Sequence, residues 1–301
     1  MQLYFYFKYV YILACVLIYS LILFYDKNLS FKVCICTIGK NENKYAREFA
    51  QHYKKYGVDK IFIYDNNDIE GEKFETVLAD YIKNEYIEII NVRGKEKMQY
   101  PSFNECYQKN KHIYKWFIFY DMDEFIHLNN FNNIKNYLNM ECFSNCNVIY
   151  LNQVMHTDNE QIYYNNKSLF ERFPKYTLNF DEKIGITKII LRGNLDHIKI
   201  GNPHIIVNKY QCTSIGKLNN QLITKEFYNN NYYYDHFFFK SSEEYLDKLM
   251  RGDAIFGVKK GYVFRWFQLY FSINKITNEK LDFFENKTGL NLSAFRSKVI
   301  K

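Results

Sequence analysis

Trp116-Phe117-Ile118-Phe119-Tyr120-Asp121-Met122-Asp123-Glu124-Phe125 is an apolar run that stops at three acids packed into four positions. An apolar run bounded by charge reads as a central strand of an α/β sheet, and ligands of such sheets gather at the carboxyl ends of the strands. If the strand stays extended through the acids, Asp121 and Asp123 project to one side and Met122 to the other. Two carboxylates placed so can hold a hard divalent cation together with the phosphates of a nucleotide. The competing reading of the same residues is a solvated strand end with ordinary ion pairs.

Upstream of the run, strand and helix patterns alternate. Phe31 to Thr37 predicts a first strand, followed by the polar turn Gly39-Lys40-Asn41-Glu42. A helix from about Tyr45 to Tyr56 carries Phe49, His52, Tyr53 and Tyr56 at helical spacing and ends at Gly57. Lys60 to Asp65 reads as a second strand that again ends in an acid. Lys73 to Asn84 reads as a helix, Tyr86 to Val92 as a strand and Ser102 to Tyr114 as a helix leading into Trp116. Such alternation predicts a Rossmann-like, mostly parallel sheet flanked by helices on both faces. After the acids the order loosens. Ile134 to Leu138 looks helical, Val148 to Leu151 strand-like, and the stretch to Tyr210 irregular, with short apolar runs such as Lys188-Ile189-Ile190-Leu191. A helix from Ser242 to Met250 opens with a capping-box pattern from Ser241 or Ser242 to Glu244. We expect one compact domain over residues 31–275, with a nucleotide half at about 31–128 and an acceptor half at about 129–275. Residues 276–301 form a tail without an assigned role.

The 301 residues and their 48% hydrophobic share are ample for a sizeable core. The net charge of +7 is spread along the chain rather than gathered into a tract, which weakens a nucleic-acid reading and suits a small anionic substrate. Residues 1–30 read as an N-terminal membrane anchor with a short stem: Tyr9 to Tyr25 is uncharged and apolar on all faces, and no small-x-small cleavage site follows it. The alternative is a buried helix. Lys8 before the run, and Asp26, Lys27 and Lys32 after it, give no clean orientation. The seven cysteines show no metal-binding spacing. Cys34 and Cys36 read as core residues of a strand, and a disulfide from Cys142 is the one pairing considered.

Three predicted strand ends share one edge: Gly39 to Glu42, Asp65-Asn66-Asn67, and Asp121 to Glu124. Asp65 suits a ribose hydroxyl or a base edge, because a carboxylate accepts from vicinal donors; Asp-Asn-Asn is also strong turn chemistry. Arg93, after the third strand, either faces a diphosphate or lies on the surface.

Taken in order, Cys36-Thr37-Ile38-Gly39-Lys40-Asn41-Glu42, Tyr56 to Asn66, Asp121-Met122-Asp123-Glu124-Phe125, Glu171-Arg172-Phe173, and Asp235-His236-Phe237-Phe238-Phe239-Lys240-Ser241-Ser242-Glu243-Glu244 with Arg251-Gly252 resemble the elements of glycosyltransferase family 92 and related family 2-like proteins. The resemblance implies a GT-A-like fold and inverting transfer of a sugar, a hexose, from a nucleotide sugar, usually a UDP-sugar, to a glycan or glycoconjugate hydroxyl, with a divalent metal, commonly Mn2+. It carries Asp121, Asp123 and His236 to the metal, and Asp121, Glu42 and Asp65 to the nucleotide sugar, with Arg93 beside them. Lys240 and Arg251 are expected to neutralise the leaving diphosphate. Inversion also needs a base for the acceptor hydroxyl, for which Asp158 and Glu171 are the candidates. The middle segment departs from many relatives, reading Leu151-Asn152-Gln153-Val154-Met155-His156 where they have a Trp and a Phe-Gly pair, so acceptor recognition differs. By analogy the catalytic part is expected on the lumenal or outer side, the Golgi or ER lumen if the source is eukaryotic. The other class of reading is a non-catalytic nucleotide-sugar or glycan binder on the same fold.

Overall fold

A computed structural model describes residues 11, 14–17, 31–177, 187–206, 208–218, 231–252 and 263–299. Of the expected membrane anchor and stem, residues 1–30, only Tyr11 and residues 14–17 fall within these; the rest lies outside the described residues. Among the described residues no helix is long and apolar enough to cross a membrane.

The alternating half folds as β1 (Val33–Gly39), α1 (Asn43–Lys55), β2 (Lys60–Asp65), α2 (Glu75–Lys83), β3 (Ile87–Asn91), α3 (Gln99–Asn110) and β4 (Trp116–Phe119). These strands pair in the order β3-β2-β1-β4, all parallel. β1 is buried along its whole length because helices cover both faces. Val33 and Ile35 pack on the side of Phe49 and Tyr53 from α1 and Leu78 from α2. Cys34, Cys36 and Ile38 pack on the other side with Phe103 and Tyr107 from α3. The period of two in one strand thus feeds two separate cores.

Beyond β4 the chain forms β5 (Glu124–Leu128), α4 (Ile134–Leu138), β6 (Val148–His156), α5 (Leu169–Arg172), β7 (Tyr176–Thr177), β8 (Thr187–Arg192), β9 (Gln211–Thr213) and β10 (Tyr232–His236). Here the sheet is mixed, where the sequence predicts mostly parallel pairing. β8 is antiparallel to β4, β6 antiparallel to β8, β10 parallel to β6, and β5 antiparallel to β10 at the end of the path. The strand of the opening run does not stay extended through its acids either. β4 stops at Phe119, and a turn closes on itself: Glu124 N–H donates to the Asp121 carbonyl at 3.0 Å, and Asp121 N–H donates to the Glu124 carboxylate at 2.9 Å. Backbone groups that leave the ladder thereby keep partners. Met122 turns inward against Gly39, where a Cβ would meet its side chain at 3.0 Å.

The C-terminal part holds α6 (Ser242–Arg251), α7 (Val263–Ile273), α8 (Asn278–Thr288) and α9 (Ser293–Arg296). Phe239, Tyr245, Phe267, Tyr270, Phe284 and Phe295, with Leu281, make a third core whose rings meet both edge-on and stacked. Residues 276–301, without a role in the sequence reading, supply two of its helices. Two disulfides cross-link the molecule. Cys36–Cys106 joins β1 to α3, and Cys146–Cys212 joins the entry of β6 to β9. Cys36 is therefore more than core packing, because α3 lies on the face of β1 that Cys36 presents, with the two α-carbons 6.3 Å apart. Cys142, whose disulfide is the one pairing considered, is an exposed free thiol, and Cys34 is a buried one.

Candidate active site

Register gathers the site at one edge. Parallel pairing puts the carboxyl ends of β1, β2 and β4 together, with Gly39 level with Asp65. Antiparallel β8 starts there with Thr187 and Lys188. His236, the last residue of β10, lies opposite Glu124, the first of β5. Phe237 N–H donates to the Asp123 carbonyl at 2.9 Å and ties the end of β10 to the acid turn.

The three acids meet different partners. Asp121 remains a third exposed; its Oδ1 accepts from Gln99 Nε2 at 3.1 Å and its Oδ2 from Lys188 Nζ at 2.9 Å. Burial opposes its ionisation, but the Lys188 ammonium outweighs burial and holds the carboxyl below its ordinary range. Asp123 is buried, and one oxygen, Oδ2, accepts from both Lys248 Nζ at 2.8 Å and Lys240 Nζ at 3.1 Å. Against burial, those two ammoniums hold it well below the carboxylate range. Glu124 is buried with Lys188 Nζ 2.9 Å from Oε2, while Oε1 accepts no hydrogen bond and lies 3.8 Å from His236 Nδ1. Burial pushes it up to about 8; Lys188 opposes, and the charges of Asp121 and Asp123 add to the rise.

Burial lowers the pKa of His236, against the neighbouring Asp123 carboxylate, which raises it. Its Nδ1 lies 2.7 Å from Gln153 Oε1, which also accepts from the Tyr234 hydroxyl, so Nδ1 carries the proton. Nε2 lies 3.5 Å from Asp123 Oδ1. Among the described residues no three His, Cys, Asp or Glu side chains are grouped to hold a metal ion. The expected trio is thus brought together only in part: Asp123 and His236 converge, while Asp121 turns to Lys188 and Gln99. A two-ligand arrangement suits hard cations that take remaining ligands from phosphates and water.

Lys240 sits at φ +54°, immediately before the N-cap of α6, with its ammonium 4.4 Å from the Tyr45 ring centre. Backbone in this region is costly for a side-chain-bearing residue and persists only where its surroundings fix it. Here the capping box of Ser241 and Glu244 fixes the first turn of the helix directly after it. Glu244 does more than cap. Arg172 donates to both its oxygens in a buried pair, and Tyr45 and Ser241 donate as well. Burial raises the Glu244 pKa, but these donors outweigh it and hold the group at about 2. Arg251 donates to Glu42 Oε1 at 2.5 Å and to the Lys40 carbonyl, so the turn after β1 is strapped to α6. Glu42 Oε2 is buried and has no partner.

Other expected residues are placed differently. Asp65 and Arg93 pair with each other, Oδ2 to Nε at 2.7 Å, while Asp65 Oδ1 caps the turn at Asn67. Asp65 thus builds the turn, the second of its two readings, and its carboxylate is engaged by Asn67 and Arg93. Asp158 lies away from the acid turn. Lys280 at 2.5 Å and the Tyr270 hydroxyl hold Oδ2, while Glu160 N–H holds Oδ1 and Asn274 accepts from its backbone. It ties the loop after β6 to α7 and α8. Glu171 is exposed in the capping box of Ser168, whose hydrogen bonds lower its pKa. Neither base candidate joins the cluster around Asp123.

Sequence reasoning misses Lys188, Lys248, Gln99 and Gln153. Lys188 does leave a signal: a lysine heading the apolar run to Leu191 must be buried with the strand and needs anions beside it. Lys248 precedes Arg251 by three residues on α6 and so shares its face.

The family model described as "Glycosyltransferase family 92" matches residues 30–252. A glycosyltransferase family 92 protein of Ricinus communis is 30% identical over 97 residues, which span 32% of this chain and 17% of the relative. Another, of Oryza sativa subsp. japonica, is 32% identical over 95 residues, 32% of this chain and 16% of the relative. The chain thus matches about a sixth of the length of these relatives. Among solved structures, S. aureus TarS 1-349 overlaps 73% of this chain and 63% of its own at 13% identity and a TM-score of 0.35. The same protein in complex with UDP-GlcNAc overlaps 44% and 37% at 13% identity and a TM-score of 0.32.

Proposed function

The chain belongs to glycosyltransferase family 92, and on that premise we propose that it is an inverting glycosyltransferase of GT-A-like build. It moves a hexose from a nucleoside diphosphate sugar, a UDP-sugar by family resemblance, to a hydroxyl of a glycan or glycoconjugate. The observation that carries this reading is the meeting of Asp123 and His236 with the cations Lys240 and Lys248, beside the Arg251–Glu42 pair, at the carboxyl edge of the sheet. Departure of a nucleoside diphosphate builds negative charge on its β-phosphate, and fixed positive charge there stabilises the transition state more than the ground state.

The chain's own residues have distinct roles in this account. Asp123 would hold a divalent cation, Mn2+ by family resemblance, together with His236; that cation supplies Lewis-acid charge for the leaving group. Gln153 fixes the His236 tautomer. Lys188 keeps Asp121 ionised at the mouth of the site. In this reading Arg251 and Lys240, paired here with Glu42 and Asp123, donate to the diphosphate oxygens, and the Asp65–Arg93 pair serves the nucleoside. Of the two candidates for the base that takes the acceptor proton, Asp158 is engaged by Lys280, Tyr270 and Glu160, and Glu171 faces solvent. The two disulfides favour an oxidising compartment such as the ER or Golgi lumen.

A panel of UDP- and GDP-sugars, with Mn2+ or with chelator, tests the reading through released nucleoside diphosphate. At least one donor is expected to be consumed with Mn2+ present. Nucleotide binding without turnover across donors and acceptors would instead favour a non-catalytic sugar-nucleotide binder.

A further inference from the structure

His204 lies between β8 and β9, in the stretch whose sequence reads as irregular. Two strands clamp its segment. Tyr150 of β6 accepts from the Ile206 N–H at 3.1 Å and donates to the Ile206 carbonyl at 2.7 Å, while Thr187, the first residue of β8, donates its hydroxyl to the His204 carbonyl at 3.1 Å. Asn202 Oδ1 accepts from the His204 N–H at 2.8 Å. The ring is fixed as well: Nδ1 lies 2.7 Å from the Thr187 carbonyl, an acceptor, so Nδ1 carries the proton and Nε2 keeps its lone pair. The ring is half-buried, and Nε2 has no hydrogen-bond partner among the described residues. A fixed, unused lone pair is open to a proton donor from outside the chain.

The charges that act on this ring are those of the site. Burial foremost, and then Lys188, push its pKa down to about 4; His236 adds to the fall, and the Thr187 carbonyl and Asp121 oppose it. The imidazole is thus unprotonated at neutral pH. Its own hydrogen bonds go to Thr187 and Asn202, not to Asp123 or His236. Asp158 and Glu171 combine neither property: the first has its oxygens engaged away from the acid turn, and the second caps a helix in solvent.

We propose that His204 is the general base of the transfer, its Nε2 taking the proton of the acceptor hydroxyl. The inference rests on the glycosyltransferase reading and supplies the residue that reading lacks. As the hydroxyl oxygen bonds to C1 of the donor sugar, its proton passes to Nε2. The bond from C1 to the β-phosphate oxygen breaks, and its electron pair leaves with the nucleoside diphosphate. The imidazolium keeps its Nδ1–H on the Thr187 carbonyl, and the charges of Asp121 and of the departing diphosphate offset Lys188 as the proton arrives. That proton passes to solvent once the products leave.

The test uses the whole chain and the UDP- or GDP-sugar that the wild type consumes, with water as acceptor and then with sodium azide. Azide is an anion and attacks C1 without giving up a proton, so it needs no base. The variants are His204→Ala and His204→Gln, the second keeping a donor for the Thr187 carbonyl, and melting curves check that each folds. Both should bind UDP or GDP as tightly as wild type in calorimetry, while release of nucleoside diphosphate with water falls roughly a hundredfold or more. Azide should bring His204→Ala back to near the wild-type rate, with a glycosyl azide of inverted anomeric configuration as product. Undiminished release in either folded variant, a loss that azide does not restore, or a loss matched by weaker diphosphate binding overturns His204 as the base and leaves the glycosyltransferase reading intact. A wild type that consumes no UDP- or GDP-sugar overturns that reading, and the base with it.

Discussion

At the scale of single residues, the arrangement separates groups that do chemistry from groups that hold the site in shape. Glu244 belongs to the second kind. It is buried, accepts from Arg172, Tyr45 and Ser241, and is held at about 2 against an ordinary value near 4.5. A depressed carboxylate contributes stability that is complete above its unfolded pKa and lost as pH falls through the folded one. Unfolding free energy should therefore fall between about pH 4.5 and pH 2, by up to about 3 kcal/mol from this group. Glu244→Gln should flatten that limb and, by leaving the buried Arg172 unpaired, cost about 3–5 kcal/mol at pH 7 in denaturant titrations. Asp158 makes a matching case. Asp158→Asn leaves Lys280 buried with a weaker partner and should lower the melting temperature, while turnover per folded molecule and its pH profile stay close to wild type. A selective loss of kcat in fully folded Asp158→Asn would return Asp158 to the role of base.

At the scale of elements, α6 links the cap to the chemistry. Ser241 caps the helix that carries Lys248 and Arg251, and the next residue upstream is the strained Lys240. Ser241→Ala should cost about 1 kcal/mol of stability and also raise KM for the donor, because the cap sets the direction of Lys240. The same elements show how much the sequence discloses. β2 is legible to the residue, and α1, α2, α3, β3 and α6 to within a few, because each is bounded by strong signals: Gly57, the Asp-Asn-Asn turn, and a capping box. β5 is not, since Phe125-Ile126-His127-Leu128 comes after the acids without a turn dipeptide and is set by pairing with β10, more than a hundred residues away. The reversal of β8 is illegible for the same reason: local periodicity carries no sign for the direction of a partner. The resemblance brings Asp121, Asp123, His236, Lys240 and Arg251 into view at one edge. Lys188 and Lys248 stay hidden because a lone lysine in a strand or helix looks like surface until its partners are known.

At the scale of the whole molecule, one mixed sheet, two faces and a C-terminal aromatic core are held by two long-range cross-links. Cys36–Cys106 and Cys146–Cys212 close loops of sequence separation 70 and 66. On chain-entropy grounds each contributes roughly 4 kcal/mol. Reduction should therefore lower the melting temperature markedly, and non-reducing peptide mapping should return these two pairs with Cys34 and Cys142 free. Recovery of a different pairing would contradict the packing of α3 on β1. The central claim is that the carboxyl edge of this sheet binds a nucleotide sugar for transfer through Asp123. Its most direct test is donor turnover by Asp123→Asn beside wild type, with matched melting curves and Mn2+ present. The account predicts a fall in kcat/KM of roughly a hundredfold or more. Undiminished turnover in the folded variant would contradict it.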